Sequence, residues 1–450
     1  MNNYLVKNAV IVNENENYIA DILIKGERIK SIFRKKNYSD NSPLYSENII
    51  NAEGKYLFPG VIDCHVHFRE PGLTPKADIY TESKAAVAGG ITSYLEMPNT
   101  IPYTDSIKLI EEKNKIASEK SFANYSFFMG ATSNNLDEIK KINPKNTCGV
   151  KLFMGSSTGN IMLDDEKILS AIFSEAPVLI AVHCEDEKII NDNLNIFKKK
   201  YGEDIPPKCH AEIRNAEACY KSTSFAIELA EKYNTRLHIT HISTAEELSL
   251  LKNNVSLHQK KITSEVSVHH LWFDDSDYDK LGNLIKCNPS IKKSKDKKAL
   301  LENLINNKID IIATDHAPHT LTEKLNKYLK SPSGIPMVQH SLIAMLELHH
   351  QNKISLEKIA EKMCHSPAEC YRVESRGYIR ENYYADLVIA DLNYQWKIEK
   401  PNILSKCKWS PFENTTFNSK VLYTFVNGNL VFDNNNFNEK AKGKVLKFNR

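Results

Sequence analysis

The sequence DCHVHFREPG at residues 63–72 directly follows the apolar run YLFPGVI at residues 56–62. Such an apolar run is typical of a buried strand. Alternate residues of a strand face the same side, so His65 and His67 project together, and Arg69 has the same parity. Two imidazoles on one face suit a divalent metal, and a guanidinium suits a carboxylate. The alternative, a strand end with scattered polar residues, stands unless later strands supply further ligands.

Length and composition limit the classes of protein to consider. A chain of 450 residues has room for two or three average domains, or for one large barrel with an added domain. Apolar residues make up 41% and charged residues 26%, which is typical of an ordinary globular protein. The net charge of +3 is small for this length, so we expect neither nucleic acid nor a membrane surface as a partner.

Cysteine usage and the N-terminus indicate a compartment. The nine cysteines are odd in number and include no CxxC pair, which favours reduced thiols. The N-terminus lacks the basic and then apolar build of a signal peptide, and no apolar run approaches the roughly 18 residues of a transmembrane helix. We therefore expect a cytoplasmic protein.

Apolar strand candidates alternate with helix-like stretches over the middle of the chain. This alternation predicts an α/β fold, a (β/α)8 TIM-like barrel, in which active-site residues gather at the carboxyl ends of the strands. A doubly wound open sheet is the alternative, but no Gly-rich phosphate fingerprint follows any strand. The eight candidate strands are 61–68, 92–97, 125–131, 149–154, 178–184, 237–243, 262–268 and 309–315.

Both ends of the chain consist of short strands without helical periodicity. The pair Asn427-Gly428 in the second of these ends is a strong hairpin signal. Because both β-rich ends flank the barrel, we expect them to build one small β-sandwich together. The predicted division is residues 1–55 and 371–450 for the sandwich and residues 56–370 for the barrel.

Further polar side chains lie near the ends of the predicted strands. Lys151 stands between apolar neighbours in strand 149–154, where an ammonium group is costly to bury. It fits there if the amine is neutral, or if CO2 converts it to a carbamate that can bridge two metals; a head group reaching the strand end is the alternative. His183, His241 and Asp315 stand near the ends of three further strands. Ligands at the ends of several separate strands predict one metal site.

The whole chain resembles the dihydroorotases of the amidohydrolase superfamily. Two motifs carry the resemblance, DCHVHFREPG at residues 63–72 and ATDHAPH at residues 313–319. The resemblance implies two zinc ions per subunit, and some dihydroorotases bridge their metals with an aspartate, for which Asp164 or Asp165 is the candidate here. We favour a carboxylated lysine as the bridge. The implied ligands are His65, His67, Lys151 as the carboxylated bridge, His183, His241 and Asp315.

The resemblance also implies a reaction, the reversible hydrolysis of (S)-dihydroorotate to N-carbamoyl-L-aspartate in pyrimidine (UMP) synthesis. A hydroxide between the metals would attack the ring amide, and Asp315 would pass its proton to the leaving nitrogen. Arg69 is well placed to bind the substrate carboxylate bidentately. The further substrate contacts implied are Asn99 and His319 at the carboxylate, Asn288 at the ring edge, and the backbone of Ser333 and Gly334.

Some positions depart from the family pattern. The chain has NPSIK at residues 288–292 where relatives often have NPPLR, and the segment at residues 333–339 also differs from commoner versions. These departures concern the substrate contacts and leave the metal ligands unchanged. His269 and His270 lie at the end of a predicted strand but match no ligand position of the family.

Two other functions are compatible with the fold. A related cyclic amidase, such as an allantoinase or a dihydropyrimidinase (hydantoinase), is the first alternative. Arg69 argues against it, because those substrates do not make the same carboxylate demand. A non-catalytic scaffold is the second alternative, which lost ligands would mark. The resemblance implies a homodimer acting on a small molecule. The sequence leaves open the metal bound in the cell and whether loop 155–160 or loop 321–332 closes over the substrate.

Overall fold

Parallel strands form a closed barrel in the computed structural model, which describes residues 3–154, 163 and 165–450. Neighbouring strands pair in chain order, and the third strand is interrupted at Phe128. The ring closes where Val66 bridges His316 and where the His67 N–H donates to the His316 carbonyl at 2.8 Å. The predicted (β/α)8 barrel is confirmed. Its strands are Val61–Val66, Ile91–Glu96, Asn124–Phe127 with Met129–Gly130, Val150–Met154, Ile180–Cys184, Leu237–Ile239, Ile262–Ser267 and Ile311–Ala313.

Helices connect the barrel strands, and several of them begin at capping side chains. The Asp78 carboxylate accepts the N–H of Thr81 at 2.9 Å, and Asp186 caps the N–H of Ile189 at 3.0 Å, which satisfies backbone donors that a helix start leaves free. The α-helices are Ile79–Ala88, Ile107–Lys120, Leu136–Lys140, Glu166–Glu175, Glu187–Tyr201, His210–Ile213, Ala216–Tyr233, Val268–Trp272, Tyr278–Leu281, Ser294–Ile305, Leu321–Lys324, Ser341–His350, Leu356–Ala360 and Ser366–Tyr371. Short helical turns are Pro207–Cys209, Glu247–Leu250, Leu257–Gln259, Asp275–Asp277, Gly282–Ile285, Glu361–His365 and Lys400–Asn402.

The two ends of the chain build one mixed nine-stranded sheet. Tyr56–Pro59 pairs in parallel with an N-terminal strand and antiparallel with a C-terminal one, so it joins the two halves. Buried side chains from strands far apart in the sheet, Ile22 and Phe425 among them, share one core, so the sheet curves over itself. The domain boundaries at 55/56 and 370/371 stay a prediction. The strands are, from edge to edge, Asn436–Phe437, Asn429–Asp433, Lys420–Val426, Leu387–Asp391, Tyr56–Pro59, Asn3–Asn13, Glu16–Lys25 and Arg28–Arg34, with Asn48–Asn51 beside Asn3–Asn13; Trp396–Lys397 pairs separately with Thr416–Phe417.

The chain passes from this sheet into the barrel through a single residue, Gly60. A Cβ atom at Gly60 would lie 2.1 Å from Oγ1 of Thr92, so the second barrel strand leaves no room for a side chain. The Gly60 N–H donates to the carbonyl of Asp386 at 2.8 Å. The sheet therefore fixes the start of Val61–Val66, the strand that leads to the two histidines. Among the described residues, no helix has both the length and the apolar character to cross a membrane.

Candidate active site

Two strand ends on either side of the barrel closure bring three implied metal ligands together. Oδ1 of Asp315 lies 3.2 Å from Nε2 of His65 and 3.1 Å from Nε2 of His67. All three side chains are buried, and their ligand atoms lie within 4.8 Å of one another. Two imidazoles and a carboxylate at this spacing are a donor set that fits a divalent metal.

The remaining implied ligands lie on the next strands around the barrel. Nδ1 of His183 lies 2.9 Å from Nε2 of His241, and the rings of His241 and His65 are 5.3 Å apart between centroids. Lys151 is fully buried, so its head does not reach solvent, and it donates to Oγ1 of Thr240 at 3.1 Å. Burial lowers the pKa of Lys151 to about 8. A neutral amine, the form that reacts with CO2, is therefore accessible near neutral pH.

Two aspartates are the alternative candidates for the metal bridge. Asp164 lies outside the described residues, as does loop 155–160. Asp165 is exposed and caps the helix Glu166–Glu175, where its carboxylate accepts the N–H of Lys167 at 2.8 Å. Its side chain is thus used as a helix cap.

Buried groups behind the ligands orient the imidazoles. Nδ1 of His65 lies 2.6 Å from Oε1 of Glu265, and Nδ1 of His67 lies 2.6 Å from Oδ1 of Asn99. Nε2 of His183 lies 3.0 Å from Oε2 of Glu185. In each case one ring nitrogen donates to an oxygen, and the opposite nitrogen is left facing the shared site. Metal-binding histidines are commonly held in this way, so the arrangement fits the implied metals.

The charges of these supporting groups follow from their surroundings. Burial alone would raise the pKa of Glu265, but the facing His65 and His238 lower it to about 2. Burial opposes ionisation of Glu185 too, yet Arg214 and His183 hold its pKa below the usual value. Both groups are therefore carboxylates near neutral pH, the form that accepts hydrogen bonds from imidazole N–H groups.

Arg69 supplies a buried cation at the same site. Its Nε donates to the carbonyl of Pro318 at 3.2 Å, and a terminal nitrogen lies 3.2 Å from Nε2 of His319. Burial lowers the pKa of Arg69 to about 10, which leaves the guanidinium charged near neutral pH. Among the described residues, no carboxylate forms an ion pair with it. A buried charge that is hydrogen-bonded but forms no ion pair is still costly, so an anionic ligand would stabilise this site.

The other residues implied for substrate binding lie around Arg69. Nδ1 of His319 accepts a hydrogen bond from Lys76 at 3.0 Å, which leaves its Nε2–H to donate to the carbonyl of Ser333 at 3.0 Å. A Cβ atom at Gly334 would lie 2.4 Å from the Ala317 carbonyl oxygen, and φ at Gly334 is +146°, so the wall requires glycine. The six implied ligands, Arg69, Asn99, Asn288, Ser333 and Gly334 all line one pocket, with His319 in contact with Arg69.

Three of these residues have unusual backbone conformations. The φ angles of Arg69, His241 and Asp315 are +69°, +39° and +46°. Such conformations cost on the order of 1–3 kcal/mol each and persist where the surroundings enforce them, typically at functional sites. The strained backbone therefore coincides with the predicted site residues.

Sequence reasoning missed several residues that position the site. Oδ2 of Asp63 accepts the Thr314 hydroxyl at 2.6 Å and so ties the first barrel strand to the last. Nε2 of His316 lies 2.9 Å from Oε2 of Glu82. Glu265 is a carboxylate inside a barrel strand, the same anomaly that singled out Lys151, and could have been found by that signal.

The chain is similar in sequence and in structure to known proteins. The amidohydrolase family profile matches residues 56–431. A dihydroorotase of Methanosphaera stadtmanae is 31% identical and covers 97% of this chain and 97% of its own, and one of Ehrlichia canis is 32% identical over 92% and 91%. The solved L-hydantoinase (dihydropyrimidinase) of Arthrobacter aurescens has a TM-score of 0.91 at 26% identity and covers 99% of both chains. The dihydropyrimidinase of Brevibacillus agri shares the fold, with a TM-score of 0.86 at 23% identity over 100% of both chains.

Proposed function

Since the chain belongs to the amidohydrolase family, we propose that it is a dihydroorotase acting in pyrimidine synthesis. It would hydrolyse (S)-dihydroorotate reversibly to N-carbamoyl-L-aspartate. Relatives named dihydroorotase, aligned over nearly the whole chain, support the hydrolysis of a cyclic amide. The observation that carries the narrower substrate is Arg69, the buried guanidinium in the ligand pocket that forms no ion pair with a described carboxylate.

Arg69 is matched to the group that distinguishes dihydroorotate from other cyclic amides. Dihydroorotate carries a carboxylate on its ring, whereas dihydrouracil has the same ring without it. A guanidinium fork binds a carboxylate through two parallel hydrogen bonds, which fixes the orientation of the ring as well as its affinity. We assign Asn99 and His319 to the same carboxylate. Asn288 and the backbone of Ser333 and Gly334 would meet the polar edge of the ring.

The metals in this proposal are two Zn2+ ions. His65, His67, Lys151 as an N6-carboxylated bridge, His183, His241 and Asp315 would hold them. When bound, such cations lower the pKa of water and polarise the amide carbonyl.

Asp315 is the acid–base group of the proposal. Burial would raise its pKa, but the facing imidazoles, His65 first among them, hold it well below the usual value. As a carboxylate, Asp315 takes the proton released by the attacking water and delivers it to the leaving ring nitrogen. In ring closure the same residue accepts the proton of the ureido nitrogen as that nitrogen bonds to the carboxyl carbon, and it delivers this proton to the departing oxygen, which leaves as water.

A hydantoinase-like activity is the second candidate. The observation that favours it is the likeness to the L-hydantoinase of Arthrobacter aurescens, with a TM-score of 0.91. A substrate of that kind would leave Arg69 without an anion to bind, which is why we place it second. We further propose a cytoplasmic homodimer as the working form.

Steady-state kinetics of the zinc-loaded protein test the proposal in both directions. We expect turnover of dihydroorotate and of carbamoyl aspartate by the parent chain. Asp315→Asn should abolish turnover in both directions. Arg69→Met should raise KM for dihydroorotate strongly. Arg69→Lys keeps the charge but loses the guanidinium fork, so its KM should lie between those of the parent and Arg69→Met. A zinc-loaded parent chain that turns over neither substrate would overturn the assignment.

A further inference from the structure

A second cluster of metal-ligating side chains lies outside the implied ligand set. His269 and His270 are in the helix Val268–Trp272, directly after the barrel strand Ile262–Ser267, and Cys287 precedes Asn288 of the pocket wall. All three are buried, at 1%, 2% and 1% exposure. Each offers one ligand atom, and these atoms lie within 4.8 Å of one another.

The imidazoles of this cluster have unused capacity for a ligand. Among the described residues, Nδ1 of His270 has no hydrogen-bond partner. Neither ring nitrogen of His269 forms a hydrogen bond of standard geometry with a described residue. The backbone of Thr314 is a polar neighbour of His269, but it does not meet that geometry. An unsatisfied buried polar group is destabilising, so native structures rarely keep several together without a ligand or water.

The second nitrogen of His270 is already arranged as in a metal site. Its Nε2 donates to the carbonyl of Pro289 at 3.1 Å. Metal-binding histidines commonly donate their other ring N–H to a backbone carbonyl, which fixes the tautomer and turns the free nitrogen to the ion. Here that free nitrogen is Nδ1, the atom without a partner.

Cys287 completes a donor set with a sulfur atom. Its Sγ lies 3.2 Å from the same Pro289 carbonyl, so the neutral thiol donates there. Burial raises the pKa of the Cys287 thiol and outweighs the opposing charges of Lys324 and Lys292, so the thiol is neutral near neutral pH. A bound cation would stabilise the thiolate and release the proton to solvent, as metal binding by cysteine requires.

We propose that His269, His270 and Cys287 form a further metal site, selective for Zn2+ and separate from the catalytic ligands. Two imidazoles and one thiolate suit Zn2+ and disfavour Mg2+ and Ca2+, which prefer oxygen. Zinc lies about 2.0–2.3 Å from such ligands, so tetrahedral binding would hold the three atoms roughly 3.3–3.8 Å from one another. The ion would connect the segment that carries Asn288 to the helix Val268–Trp272.

Cobalt substitution separates this site from the catalytic one. The implied catalytic ligands include no sulfur, so a thiolate-to-cobalt charge-transfer band would report a cysteine ligand elsewhere. We expect the full-length protein, titrated with Co2+ under reducing conditions, to develop this band to one equivalent per chain. Cys287→Ser should abolish the band and remove one tightly bound zinc per chain, measured by elemental analysis.

Matched variants keep the result interpretable. Cys219→Ser removes another buried cysteine, one that contacts Ser243, and should leave the band and the zinc content unchanged. His270→Gln should weaken binding at the site, with a far-ultraviolet circular dichroism spectrum like that of the parent. Parent protein that binds Co2+ without a thiolate band would refute the proposal. So would a band that persists in Cys287→Ser.

Discussion

Glu265→Gln is the change whose effect on metal affinity follows most directly from the geometry. The Glu265 carboxylate is fully buried and accepts hydrogen bonds from Nδ1 of His65 at 2.6 Å and from Nε2 of His238 at 3.1 Å. Glutamine has the same shape but no charge, and one of its two terminal groups is a donor that would face an imidazole N–H. His65 would thus lose the support that turns its Nε2 toward Asp315.

The loss of this hydrogen bond to His65 determines how far the metal affinity should fall. Removing a group that orients a metal-binding histidine typically lowers metal affinity about 10- to 100-fold, which is roughly 1.4–2.7 kcal/mol. Competition with a chromogenic chelator measures this affinity, and we expect weaker retention of the metal in contact with His65. Thermal unfolding of the metal-free chains checks that the variant is folded.

Glu247→Gln is the matched control for this experiment. Glu247 is also a buried carboxylate, but it begins the helical turn Glu247–Leu250, and its oxygens accept the hydroxyls of Thr223 and Thr244, both at 2.8 Å. It orients none of the implied ligands, so its replacement should leave metal affinity unchanged. If Glu265→Gln holds metal as tightly as the parent, Glu265 does not position His65 and the reasoning is refuted.

Three further outcomes follow from other parts of the structure. Lys113→Met removes the partner, 2.7 Å away, of the buried Glu96 carboxylate and should lower the free energy of unfolding by about 3–5 kcal/mol in urea titrations. Loss of the exposed Lys188–Asp192 pair should leave the free energy of unfolding almost unchanged, and equal effects of the two changes would contradict this. Gly334→Ala places a Cβ atom 2.4 Å from a carbonyl oxygen in the pocket wall and should lower kcat/KM for dihydroorotate. Unchanged kinetics would show that the backbone at this position shifts without affecting the substrate. Removal of metal by a chelator should abolish hydrolysis and zinc should restore it; activity that survives in verified metal-free protein would count against the metal assignment.

Sequence patterns predicted the barrel strands well but not where they end. The predicted strand 237–243 is observed as Leu237–Ile239, and 309–315 as Ile311–Ala313. The difference has a physical reason, because His241 and Asp315 take φ angles of +39° and +46°, which lead the chain out of the strand pairing. Apolar alternation carries no signal for such turns, since they serve the site and not the core.

In the site, as in the fold, some features were predictable from the sequence and others were not. His65 and His67 were recognisable because two histidines at strand spacing point to one side. The contacts that orient them were not, because Glu265 lies 200 residues from His65 and Asn99 reaches His67 across a different strand end. Contacts of this kind depend on barrel closure, which local periodicity does not describe.

We propose that Arg69 selects a ring that carries a carboxylate. The most direct test compares kcat/KM of the zinc-loaded protein for dihydroorotate and for dihydrouracil, which differ in that one group. Hydrogen bonds to charged groups contribute roughly 1.5–3 kcal/mol each, so we expect dihydroorotate to be preferred by at least about 100-fold. Equal or faster hydrolysis of dihydrouracil, or of hydantoin, would contradict the account and identify the chain as a different cyclic amidase.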